Sequence, residues 1–152
     1  MNEAEIIASA LTIATTHAER IEFALTNLQP ILPLDSYKVE NLNIQNLLYL
    51  ELFTNRFAKL QDYMGSTLFD MCLQHLGDVT DGLTIIDKVN KLVKYNIIES
   101  EALWREFRKS RNHISHEYPS RPDLTAQYIN ATVELAPKLL ACNANIAKCL
   151  SK

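Results

Sequence analysis

The stretch "NIQNLLYLELFTNRFAKLQDYMGSTLFDMCLQHLG", residues 43–77, decides the fold class. Leu47, Leu50, Phe53, Phe57, Leu60, Met64, Leu68 and Cys72 recur at steps of three and four. That spacing gathers apolar side chains along one face of an α-helix. It predicts a helix from about Asn43 to Leu76. Gly65 lies inside it, where a glycine either bends the helix or admits another helix close to its backbone. Gly77 marks the stop, because the left-handed conformation that closes a helix costs glycine least.

The same period runs through the rest of the chain. Ile6, Ile7, Leu11, Ala14, Ala18, Ile21, Leu25 and Leu28 predict a helix over 3–28, closed by Pro30 and Pro33. The connector "QPILPLDSY" leads into "KVENLN", which reads as a loop or a ragged helix start. After "DVTDG", with Thr80 or Asp81 as the capping residue, a third helix runs from about Leu83 to Tyr95. Its inward residues are Ile85, Ile86, Val89, Leu92 and Val93. Ser100 caps a fourth helix, with Glu101 favourable in its first turn. That helix should end near Glu117, because Pro119 disfavours helical geometry at Tyr118. Asp123 caps a last helix over about 124–150, with Pro137 expected to kink it. Helices joined by short loops imply an all-α antiparallel bundle of four to five helices.

At 152 residues, 1–152 reads as a single domain. Three glycines and five prolines supply few of the tight turns that an all-β fold needs. The net charge of −3 argues against a protein that coats nucleic acid without specificity. No run approaches the ~18 apolar residues of a membrane span. The N-terminal stretch carries Glu3 and Glu5 and lacks the positive start of a signal peptide. A cytoplasmic location is the expectation, and three cysteines without framework spacing fit reduced thiols there. Cys142 and Cys149 share a helix face about 10 Å apart and are read as packing residues.

Charge is concentrated at one place. Residues 104–121 hold five Arg or Lys (105, 108, 109, 111 and 121) against two Glu, a net +3, which leaves −6 on the rest of the chain. Within it, "RKSRNHISHEYP", residues 108–119, combines three basic residues, two histidines and a tyrosine. Arg111 and Tyr118 are seven apart and nearly eclipsed, and Asn112 neighbours His116 at four. Arg111 and His116 differ by about 140° on a regular helix. They converge only if the helix loosens at its end or a second molecule supplies one of them. His116, in the last turn, sits where the helix dipole favours its protonated form, which suits proton transfer near neutral pH.

"RNHISHEY" fits the pattern Arg, Asn, three residues, His, one residue, Tyr, and "LWREFRKS" precedes it. This resembles the signature of HEPN-domain proteins, in particular the HepT-like toxins and the nucleotidyltransferase-associated substrate-binding proteins. The resemblance extends to an all-helical domain of this size with the motif on its penultimate helix. It implies a helical bundle that pairs as a homodimer with two motifs in one cleft, and a metal-independent endoribonuclease needing no cofactor. By resemblance Arg111 and His116 take the catalytic positions and Asn112 the polar position beside them. Tyr118 takes the tyrosine that a partner MNT-type nucleotidyltransferase antitoxin modifies with AMP in HepT toxins. RNA, in some relatives tRNA, is the substrate, and Arg105, Arg108 and Lys109 are candidates for holding its backbone. The rival reading is a non-catalytic substrate-binding partner of a small nucleotidyltransferase; a third is a plain helical dimerisation module.

Other residues have plainer readings. Trp104 is expected in the core or an interface. His113, outside the motif, either lines the cleft or, the favoured reading, stands at the surface, and His17 and His75 are read as surface or satisfied polar residues. Cys72 with His75, or His113 with His116, lacks evident third and fourth ligands for a metal. Arg105 and Arg108 have Glu101 and Glu106 as possible ion-pair partners.

Overall fold

The computed structural model describes residues 1–152, and all its regular structure is helical. The elements are α1 (Glu3–Leu28), α2 (Ser36–Glu40), α3 (Ile44–Tyr63), a π-helical turn (Met64–Leu68), α4 (Phe69–His75), α5 (Ile85–Lys94), α6 (Glu101–Ile114) and α7 (Pro122–Leu150). α3, the π turn and α4 form one continuous helical run, the one expected over 43–76. The five expected helices are all present, and the short α2 is a sixth, formed where "KVENLN" begins.

Side-chain caps set most of the boundaries. Asn2 and Glu5 close a capping box on α1, and Asp35, Asn43 and Ser100 accept a backbone N–H at the starts of α2, α3 and α6. Two expected caps are corrected. Thr84, not Thr80 or Asp81, caps α5, because Asp87 three residues on returns the bond to Thr84 N–H and completes the box. Those bonds hold the Asp87 carboxyl below its usual pKa. Asp123 caps nothing; Pro122 opens α7, and the Asp123 carboxylate instead accepts from the Arg121 guanidinium at 2.8 and 2.9 Å. Gly77 does close the preceding run at φ +91°, with Asp78 N–H donating to Leu73 C=O. α7 continues through Pro137 as one helix.

Three sets of contacts fix the antiparallel order. Phe23 meets Tyr49, and His17 meets Arg56, so α1 and α3 run in opposite directions. Trp104 meets Phe69, and Arg111 meets Asp62, so α6 opposes α3 and α4. His113 meets Tyr128, which folds α7 back along α6. The connector before α2 is clasped to α7 by Asn130, whose amide accepts from Leu34 N–H at 2.8 Å and donates to Leu34 C=O at 2.9 Å.

The centre is aromatic. Trp104, Phe53, Phe57, Phe69 and Phe107 are all fully buried, each contributing about 1.5–3 kcal/mol by leaving water. Trp104 lies 4.7 Å from Phe69 and 6.4 Å, edge-on, from Phe107. It packs over Gly65, where an added Cβ would sit 3.4 Å from the indole edge, in ordinary contact with it. The glycine itself lies in the π turn. Two residues expected inward are exposed instead, Ile6 and Leu47, because each lies near the free end of its helix beyond the packed stripe. Of the thiols, Cys72 and Cys142 are buried, and burial pushes Cys142 up to about 12. Burial raises the Cys72 thiol as well, with Cys149 and Cys142 of α7 adding to the rise.

His17 is buried, and its Nδ1 accepts from Arg56 Nη1 at 3.0 Å, which requires the neutral ring. Burial, then the Arg56, Lys59 and Arg20 charges, hold its pKa below the usual 6.5. Protons therefore bind the unfolded chain more readily. The stability contribution is complete above 6.5 and is lost as pH falls through the lowered folded value. Wild type should lose denaturation midpoint below pH 6.5, and His17→Gln should flatten that loss in urea titrations at a series of pH values. An unchanged slope would mean that other groups set the acid response. At the π turn, Gly65→Ala should fold normally, whereas Gly65→Leu should cost about 1–3 kcal/mol by driving atoms into Trp104. Urea unfolding of the two variants checks this.

Candidate functional site

α6 ends at Ile114, not near Glu117 as expected. The stop is local and polar. Ser115 Oγ donates to Arg111 C=O at 2.8 Å and accepts from Arg111 Nη1 at 2.8 Å. This ties off the last turn, so His116, Glu117 and Tyr118 leave the helix and run as an irregular segment to α7. Pro119 constrains only Tyr118, and so overestimates the helix by three residues.

Arg111 is held on α6 by a planar fork. Its Nε and Nη2 donate to the two Asp62 carboxylate oxygens at 2.9 and 2.8 Å. Asp62 keeps the guanidinium above its ordinary pKa. Both side chains remain partly exposed, 30% for Arg111 and 51% for Asp62, so the pair borders solvent. Arg111 forms a ridge between two grooves. One, of about 870 Å³, runs along α3 past Asn55 and Lys59; the other, of about 430 Å³, lies between the π turn and α6 and includes Arg108 and Asn112.

His116 opens elsewhere, onto a cleft of about 520 Å³ between α2, α3, the segment after α6 and the start of α7. Leu50 and Ile129 form its floor, and His113, Tyr128 and Tyr118 form an aromatic wall. The His113 ring stacks on Tyr128 at 4.0 Å and 28°, and Tyr118 tilts against Tyr128 at 5.3 Å and 47°. His113 is thus half-buried and part of the cleft, not the free surface histidine expected. Glu40, Glu51 and Glu117 stand at the rim, and no Arg or Lys lines this cleft. None of the three carboxylates has a salt-bridge partner.

The motif residues are therefore neighbours in space but not members of one cavity. Within a single chain, Arg111 and Asn112 face the grooves beside α3, whereas His116 and Tyr118 face the acidic cleft. Arg105 is engaged by Glu101 one turn before it, while Arg108 and Lys109 are exposed without an ion pair. Trp104 is core. No group of three or more His, Cys, Asp or Glu side chains converges to hold a metal. Asp62 and Tyr128 escaped the sequence reading. Each sits on a helix whose own periodicity says nothing about partners on α6. No protein-family model matches the chain, and neither the curated proteins nor the solved structures contain a match.

An exposed fork adds little to stability, generally under about 1 kcal/mol. Asp62→Asn should therefore change the urea unfolding free energy by less than that while releasing one charge from Arg111. A loss of several kcal/mol would identify the pair as a structural pillar rather than a positioning device.

Proposed function

We propose that the chain is a metal-independent endoribonuclease of the HEPN type, acting as a homodimer and controlled by an MNT-type nucleotidyltransferase partner. The observation that supports it is the early end of α6. It leaves Arg111 fixed on the last turn by Asp62 and Ser115, and it frees His116 and Tyr118 to face another direction. Arg111 and His116 in one chain serve different surfaces, so a site containing both is completed by a second copy.

The chemistry follows from the groups. A base takes the proton from an RNA 2′-hydroxyl, whose oxygen attacks the adjacent phosphorus. The bond from phosphorus to the 5′-oxygen breaks, and an acid returns a proton to that oxygen. One histidine cannot perform both transfers at once, whereas a twofold pair supplies two. Arg111 stabilises the charge that builds on the phosphoryl oxygens, its planar fork changing partner from the Asp62 carboxylate to phosphate. Asn112 supports the Arg111 side of the site. Tyr118, at the cleft mouth, is the residue an adenylyl group would block. The substrate is an RNA, with tRNA one class to test.

A second reading has its own observation. The unpaired carboxylates around His116 repel phosphate, which suits a binding subunit that presents Tyr118 to a nucleotidyltransferase without cutting RNA.

Purified chain incubated with labelled RNA, with and without EDTA, separates the two. Cleavage should persist in EDTA and fall at least about a hundredfold in His116→Ala and in Arg111→Ala. Wild-type cleavage by His116→Ala would remove the mechanism. A chain inert on RNA that forms a stable complex with the transferase would establish the partner reading.

A further inference from the structure

We infer that the groove between the π turn and α6 is a binding site for a phosphodiester of single-stranded RNA, separate from the His116 cleft. The inference deepens the ribonuclease reading, and it rests on that reading only in assigning the anion to RNA. Three observations carry it. The groove, about 430 Å³, is lined by Arg108, Arg111, Asn112 and Ser66, a set of donors with two permanent positive charges. Asp62 is the one carboxylate among the lining residues, so the groove keeps a net charge of +1 on a chain that is −3 overall. Neither Arg108 nor the Asn112 amide has a partner within the chain, as the side-chain hydrogen bonds of this wall all belong to Arg111, Asp62 and the Ser66–Thr67 hydroxyl pair.

The second observation is the backbone. The helical run that forms the other wall passes through a π turn here, with Phe69 N–H bonded to Met64 C=O. Single π turns inside α-helices recur at functional sites, because the extra residue sets side chains where an α-helix would not. The third is Trp104. It is 1% exposed and lines the groove, and its Nε1–H has no hydrogen-bond partner. A buried donor without an acceptor costs on the order of 1–3 kcal/mol, so the indole on this wall is an unsatisfied polar group.

What separates a diester from free phosphate is reach: a strand continuing past Arg111 meets Lys59 in the adjoining groove, where Glu51 also stands. Phosphate therefore contacts one groove, and an oligonucleotide contacts both.

Trp104 is the only tryptophan in the chain, so its emission reports on this groove directly. A 2′-O-methyl RNA hexamer, which lacks the attacking hydroxyl, should change Trp104 emission saturably. Arg108→Gln should weaken its binding about fivefold or more and lower the slope of log affinity against log salt by about 0.7. Lys138→Gln, on the outer side of α7, should change neither beyond a general charge effect. Hexamer binding that leaves Trp104 emission unchanged, or that is as tight in Arg108→Gln as in wild type, overturns the site. Inorganic phosphate binding as tightly as the hexamer overturns the assignment to RNA. The two proposals fail separately. His116-dependent cleavage with no groove signal sinks only this site, and a groove signal in a chain that never cleaves sinks only the ribonuclease.

Discussion

The packing of Trp104 between Phe69, Phe107 and the backbone at Gly65 is the contact around which the core is arranged. An indole is the largest side chain in the core, and it meets the α3–α4 run where that run lacks a Cβ. The same register of α6 sets the Trp104 ring 4.7 Å from Phe69 on α4. In this register Arg111, two turns after Trp104, lies opposite Asp62, and within α6 itself Ser115 meets the Arg111 carbonyl. Packing, a backbone irregularity and the orientation of one guanidinium meet along one helix.

Much of this was legible in the sequence, and the limits are physical. Helical period is a property of one segment, so the long helices, the Ser100 cap and the Gly77 stop could be read from local patterns. Gly65 could be recognised as a place of bending or close approach, yet nothing in "MGSTL" distinguishes a π turn from a kink. The end of α6 was misplaced because proline was the only visible terminator. The operative one, Ser115, depends on a bond to a side chain already held by α3.

The site divides along the same line. Arg111, Asn112, His116 and Tyr118 stood out because their types and spacing carry chemistry. Asp62, 49 residues before Arg111, and Tyr128, 15 residues beyond His113, did not. Both act only through contacts between helices. The charge reading was also incomplete. The +3 island is real as composition, but Glu101 and Asp123 engage two of its arginines, Asp62 a third, and the His116 side of it is acidic. Only Arg108 and Lys109 retain free positive charge.

The Arg111–Asp62 fork has a consequence beyond holding a side chain still. A bare arginine would attract any anion, including the chloride and carboxylate metabolites that outnumber a rare substrate. An arginine already forked to a carboxylate sets a threshold. A newcomer must present the same planar pair of oxygens, and must compensate for leaving Asp62 alone at the surface. Simple halides and single carboxylates gain nothing from that exchange. The intramolecular carboxylate thus sets the threshold that any anion approaching Arg111 has to meet.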